Sequence, residues 1–310
     1  MISADPVERV IVVTGEALVD LVLDREGGLV GHPGGGPYNV ARTIARLGQP
    51  AAYLGRISTD HFGSRLRGEL DADGVRLDAV IGTAAPTTLA LAELDAAGQA
   101  SYQFYAAGTS APGLTLEAAT AALPEHVGTF CLGTLGLVFE PMASTLEALV
   151  THLDEDTLVA LDPNCRPPAI DDPTAYRGRL GRLLQRTDLV KASEDDLAWL
   201  SPGVDPVTAA RELLTNDRAV ALVTRGGEGA LVVTAAEVVA IPGPPVDVID
   251  TIGAGDAFMG ALLAHWHERG LGRTDLANLA EVTRTAEFAC RVAAITCSRA
   301  GADPPRRAEL

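Results

Sequence analysis

Asp250-Thr251-Ile252-Gly253-Ala254-Gly255-Asp256-Ala257-Phe258-Met259-Gly260-Ala261 decides how the rest of the chain reads. Val246, Val248 and Ile249 ahead of it follow a strand pattern. Phe258, Ala261, Leu262, Ala264, His265 and Trp266 behind it follow a helical one. The pattern predicts a strand that turns sharply into a helix through small residues. Such residues let backbone approach a ligand closely. The unpaired N–H groups of a first helical turn, with the helix dipole, then form an anion site. Asp256 falls in that same turn. A carboxylate repels a bound phosphate, so it makes a poor binding group there. It makes a good base for a hydroxyl that attacks the phosphate. Taken without its flanks, Gly-Ala-Gly-Asp is equally a tight turn with Asp256 as an N-cap.

Composition narrows the field. A chain of 310 residues suits one large α/β domain with an accessory element. Apolar residues at 47% and charged residues at 21% are ordinary for a globular protein. The net charge of −17 repels nucleic acid and anionic membrane, so no partner of either kind is expected. Lys191 is the only lysine, which excludes a Walker A loop. A phosphate site is therefore expected to use backbone N–H groups or arginine. Cys131, Cys165, Cys290 and Cys297 lack C-x-x-C spacing and read as apolar filler in a reducing compartment. The chain runs early into Val10-Ile11-Val12-Val13 with no basic leader, and no apolar run approaches the ~20 residues of a membrane span. A soluble, cytoplasmic protein is the expectation.

Val10 to Val13 read as a buried strand ending at Gly15-Glu16, with Asp20 a little further on. Gly31-His32-Pro33-Gly34-Gly35-Gly36-Pro37-Tyr38-Asn39 then turns into a helix that closes at Gly48. Asn39 offers both a donor and an acceptor, which suits vicinal hydroxyls. Residues 51–57 read as a second core strand, followed by an amphipathic helix through Leu66 and Leu70 to Gly74. Residues 87–105 alternate on both sides of a turn at Asp95-Ala96-Ala97-Gly98, a hairpin pattern. With residues 18–30 it can form a small separate sheet. Beyond it, strands at 129–132, 158–161, 188–191 and 220–223 alternate with helices such as 141–153 and 176–185. That alternation predicts an α/β fold with a mostly parallel sheet, helices on both faces, and ligands at the carboxyl ends of the strands. Residues 303–310 read as a polar tail.

The stretch D-T-x-G-A-G-D-x-F-x-G-A resembles the second signature of the PfkB-type, ribokinase-like carbohydrate kinases. The Gly-rich turn before A-R-x-I-A-R-L-G resembles their first signature, and D-x-N-x-R-P at 162–167 resembles the fructokinase and 2-keto-3-deoxygluconate kinase branch. The resemblance runs from the first strand to Ala302. It implies a ribokinase-like fold with a core of residues 1–16, 38–86 and 109–302 and a β-sheet lid of residues 17–37 and 87–108. It implies Asp256 as catalytic base and Gly253, Ala254 and Gly255 as the anion hole. Arg166 would face the transferred phosphoryl group. Asp20, Gly34, Gly35, Asn39 and Tyr105 would bind the sugar, while Tyr38 stands where the family often has a small residue. Ser193, Thr224, Gly226 and Gly229, with Gly253 and Gly255, would hold ATP. Asp196 would orient Mg²⁺ through water, in a Ser-x-x-Asp that replaces the family's N-x-x-E. Ala293-Ala294-Ile295-Thr296 and Arg299-x-Gly301-Ala302 resemble the segment that closes over adenine. Asp250 and Ile252 are candidates for a monovalent cation such as K⁺. Lids of many relatives pair, so a homodimer through the lid is expected.

The function implied is ATP-dependent phosphorylation of a primary hydroxyl of a small neutral sugar, a fructose-like ketohexose first and ribose second. The alternatives are a 2-keto-3-deoxygluconate or nucleoside kinase of the same fold, or a catalytically silent sugar-binding protein. A dinucleotide-binding oxidoreductase would need G-x-G-x-x-G after the first strand, and Gly15-Glu16-Ala17 does not supply it.

Overall fold

The computed structural model describes residues 9–23, 28–94, 100–216 and 219–310. Seven parallel strands form the centre of the main sheet. They are β1 (Val10–Thr14), β4 (Ala51–Ser58), β5 (Val80–Thr83), β8 (Val127–Gly133), β9 (Leu158–Asp162), β10 (Leu189–Ser193) and β11 (Val220–Thr224). Two antiparallel strands, β12 (Ala230–Val233) and β13 (Val238–Ile241), complete one edge, in the order β13-β12-β11-β10-β9-β8-β1-β4-β5. The four remaining strands form a separate sheet in the order β3-β2-β6-β7: β2 (Leu18–Leu23), β3 (Leu29–Gly34), β6 (Leu89–Leu94) and β7 (Ala100–Tyr105). The expected small second sheet is thus present. The turn at 95–98 expected between its last two strands lies outside the described residues.

Buried strands of this kind are apolar on both sides. In β1, Ile11 and Val13 join one core while Val10 and Val12 join the other. The first core takes the faces of α1 (Gly36–Arg46), α2 (His61–Asp73), α8 (Ala254–Glu268) and α9 (Leu279–Cys297). The second takes α3 (Leu116–Ala122), α4 (Met142–His152), α5 (Pro173–Leu184), α6 (Glu194–Leu200) and α7 (Pro206–Glu212). Asp60 caps α2 through the Gly63 N–H at 2.8 Å and also accepts from Thr87, so it ties the segment after β4 to the start of the small sheet's hairpin.

Chain order reverses on either side of β1, which neighbours β4 on one edge and β8 on the other. Such a switch point opens a crevice at the carboxyl ends of the strands. Helices α1 and α8 both start there. They pack closely because Gly260 lacks a side chain: a Cβ there would lie 2.5 Å from Cβ of Thr43. Asn39 and Thr43 are one turn apart on α1, and Asp256 and Gly260 one turn apart on α8, so the contact that seats Gly260 also brings Asn39 to Asp256.

Two expectations are corrected. Val246, Val248 and Ile249 form no strand; the last strand before the motif ends at Ile241, and the intervening segment is an exposed loop. Their alternation came without a neighbour to pair with, and a strand needs a ladder as well as a pattern. The polar tail is docked rather than free. Asp303 and the Pro304 carbonyl accept from Arg46 at 2.5 and 2.7 Å, Arg306 pairs with Asp73 at 2.7 Å, and Pro304 and Pro305 are buried.

Candidate active site

Two cavities meet at the first turn of α8. The first, about 290 Å³, lies between the small sheet and the core and is lined by Asp20, Asn39, Tyr102, Arg166 and Asp256 among others. The second, about 210 Å³, runs over the β11–β12 turn toward α9. Thr251 and Gly255 line both.

Gly253 is the N-cap of α8 in a left-handed conformation (φ 74°), so the turn presents its amides outward. Among the described residues the N–H groups of Gly253, Gly255 and Asp256 have no protein acceptor. That of Ala254 donates to the Thr251 carbonyl at 3.2 Å, so Ala254 is not a free donor as expected. Asp256 accepts from the Asn39 amide at 2.8 Å. Burial pushes its carboxyl up, and the Asn39 hydrogen bond, then Lys191 and Arg166, pull it back. The side-chain oxygen of Asn39, Oδ1, is buried without a partner among the described residues and stays ready to accept from a ligand hydroxyl.

Asp20 lies on β2 across the cavity, its carboxyl pushed up to about 6 by burial and by the Asp256 charge. Gly34 backs it, since a Cβ at that position would meet Asp20 Oδ2 at 2.1 Å, while Gly35 lines the cavity with φ 108°, a conformation that favours glycine. Arg166 donates only to the carbonyls of Asn164 and Cys165, at 3.3 and 3.1 Å, so no carboxylate among the described residues claims it. Tyr105 is not brought to the cavity: it is 48% exposed, whereas Tyr102 and Phe104 line the wall. The cause is the two-residue period of β7, which sends alternate side chains to opposite faces. Tyr38 is likewise outside it, buried against Leu66 and Glu69, with Arg42 over its ring.

Thr224, Gly226 and Gly229 line the second cavity, together with Ala293 and Ala294 of α9. Val246, Val248 and Phe258 make its walls apolar, which suits a flat base. Ser193 does not line it. It caps α6, bonding the Asp196 side chain and N–H at 2.7 and 3.0 Å. Asp196 in turn accepts from the Cys165 N–H at 2.6 Å and the Ser193 N–H at 2.8 Å. With both oxygens engaged, it fits an ion held through water, not a direct ligand. Asp250 accepts from the N–H groups of Ile252 (3.0 Å) and Gly301 (2.8 Å) and so ties the motif to the segment after α9.

Two charged residues escaped the sequence reading. Glu16, at the end of β1, is 2% exposed and lines the first cavity. It accepts from Thr134 at 2.5 Å and from the N–H groups of Gly36 and Gly136, both at 3.2 Å. Burial pushes it up to about 7, against the pull of those donors. The signal was an acid directly after a fully apolar strand. Lys191 is the second; its Nζ lies 2.8 Å from Asp162, close behind Gly255.

Comparison with known proteins bears on the whole chain. Residues 9–308 match the pfkB family carbohydrate kinase family. A fructokinase of Rhizobium leguminosarum bv. trifolii is 35% identical over 259 residues, covering 81% of this chain and 77% of that protein. Fructokinase of Xylella fastidiosa with bound ATP superposes with a TM-score of 0.86 at 25% identity, over 96% of this chain and 94% of that one. A double mutant of Vibrio cholerae O395 fructokinase with fructose, ADP and a potassium ion gives 0.83 at 27% identity, over 95% and 94%. Both signatures fall on the crevice just described, at the start of α1 and the start of α8, and the chain belongs to the pfkB family of carbohydrate kinases.

Proposed function

We propose that this carbohydrate kinase transfers the γ-phosphoryl group of ATP to a primary hydroxyl of a small neutral sugar, with a ketohexose such as fructose preferred and ribose second. The observation that carries the reading is the meeting of two cavities at Gly255, with a buried carboxylate on the polar side of the junction. Sugar takes the first cavity and nucleotide the second. Asp256 accepts the proton of the sugar hydroxyl; that oxygen forms the new bond to the γ-phosphorus as the bond to the β-phosphate oxygen breaks. The N–H groups of Gly253, Gly255 and Asp256 meet the phosphoryl oxygens, and Arg166 adds charge. Asp196 would hold Mg²⁺ through water, and the ion would supply positive charge to the ATP phosphates when bound. Gly34 supports Asp20, and Asp20 and Asn39 bond sugar hydroxyls. Names of the relatives support fructose, and the acids Glu16, Asp20 and Asp256 around the first cavity argue against an anionic sugar.

One observation favours a second reading. Arg166 has no carboxylate partner among the described residues, so it could serve an acid sugar such as 2-keto-3-deoxygluconate. ADP release with fructose, ribose, fructose 6-phosphate, 2-keto-3-deoxygluconate and a nucleoside, under one condition, separates these. Neutral sugars are expected to lead in kcat/KM. If either anion leads both by tenfold, ~1.4 kcal/mol in transition-state binding, the substrate assignment passes to the anion. No ADP release with any of them marks a silent binder. Exposed Leu29, Val30 and Tyr105 on the small sheet support pairing of two lids, which light scattering would show as a dimer mass.

A further inference from the structure

The chain spends its single lysine in the interior. Lys191, on β10, is 3% exposed, and its Nζ donates to Asp162 Oδ2 at 2.8 Å. A Cβ at Gly255 would lie 2.9 Å from that nitrogen, so the ammonium lies against the first turn of α8, the turn that lines both cavities. Stability is a poor reason for such a pair, because a buried ion pair is commonly no better than two apolar side chains. The pair is also not self-contained, since Asp162 Oδ1 has no partner among the described residues.

We propose that Lys191 is a positioning residue for phosphoryl transfer, its ammonium fixed by Asp162 behind Gly255 to supply positive charge to the turn that carries Asp256. The proposal rests on Asp256 being the base. Two cations oppose the acids around Asp256: Lys191 from β10 and Arg166 from the turn after β9. The acids are Glu16 after β1, Asp20 on β2 and Asp162 at the end of β9, with Asp196 on α6 facing Lys191 and Asp162; Asn39 on α1 donates, and the Cys131 thiol on β8 is nearby. Arg166 sits at the cavity wall and is free to follow a ligand. Lys191 is locked, so it acts on the empty and the loaded site alike. A fixed charge at a water-excluded turn costs no reorganisation when charge develops there. It also helps keep Asp256 ionised at neutral pH.

The test is a cycle of Lys191→Met, Asp162→Asn and the two combined, with Asp256→Asn in the same series. ADP release is followed across pH at saturating sugar and ATP, and thermal unfolding reports folding. The combined variant leaves no unpaired buried charge, so it is the informative one if Lys191→Met alone fails to fold. Lys191→Met is expected to lose about tenfold or more in kcat, with the acid limb of the kcat profile moved to higher pH, and the combined variant to lose a similar factor with its limb between those of the two single variants. Asp162→Asn, which keeps the cation and removes an acid, is expected to move that limb to lower pH. A purely structural pair would not give opposite shifts. Wild-type kcat in the combined variant overturns the proposal while leaving the base assignment intact. Wild-type kcat in Asp256→Asn overturns both.

Discussion

The side-chain amide of Asn39 donates to Asp256 Oδ2 at 2.8 Å, joining the first turns of two helices 217 positions apart in sequence. Neither residue is well placed alone. Asp256 is buried, which favours its neutral form, and Asn39 offers the hydrogen bond that favours the charged one. The bond thus couples the wall of the first cavity to the protonation state of Asp256.

Replacing Asn39 with Leu removes the donor and leaves the shape. The Asp256 carboxyl then rises further, so a larger share is protonated as pH falls. The acid limb of the kcat profile is expected to move to higher pH, and kcat/KM for the sugar to fall by about 10–10². A pH–rate series on the variant checks this. An unmoved limb with normal kcat/KM would contradict the coupling.

Glu16 gives the empty protein a characteristic response to pH. Its folded value of about 7 lies above the ordinary 4.5. A raised acid contributes stability fully below its unfolded value, and that contribution is lost as pH rises through the folded value. Asp20 and Asp162, both pushed up to about 6, act in the same direction. Urea unfolding at pH 5 and pH 8 is expected to show a weaker protein at pH 8. The loss should be smaller in Glu16→Gln, by up to roughly 3 kcal/mol. An equal loss in both proteins would remove Glu16 from the account.

The small sheet should close over bound sugar and exclude water from the transfer. Tyr102 lines the cavity and Tyr105 does not, so Tyr102→Ala is expected to raise the sugar KM several-fold while Tyr105→Ala leaves it unchanged. Hydrogen exchange of the described part of β6 and β7 should slow at saturating sugar. Unchanged exchange, or the reverse order of the two tyrosines, would contradict a closing wall built on Tyr102.

Much of this was legible because the chemistry is local in sequence. Gly253 to Asp256 supply a cap, free amides and a carboxylate within four positions, and α1 carries Gly35 and Asn39 in one turn. The alternation of strands and helices gave the parallel sheet for the same reason: each element announces itself within its own length. Lys191 and Glu16 were not legible as site residues, because their meaning lies in neighbours from β9, α8 and the segment after β8. Tyr105 was misplaced by one position, which on a strand is the opposite face. Ser193 was assigned to nucleotide by its motif, while its hydroxyl is committed to capping α6.

Asp250 holds the motif to the segment after α9 through the N–H groups of Ile252 and Gly301. A monovalent cation bound there would strengthen the clasp, so KCl is expected to raise kcat over tetramethylammonium chloride at equal ionic strength. Asp250→Ala should erase the difference. Equal rates in the two salts for the wild type would remove the cation from the site.

Asp256→Asn preserves the shape beside Asn39 and cannot accept the proton of the sugar hydroxyl. In ADP release at saturating fructose and ATP, kcat is expected to fall by roughly 10²–10⁴ with little change in ATP affinity. A variant that keeps near wild-type kcat while chemistry limits turnover would contradict the assignment.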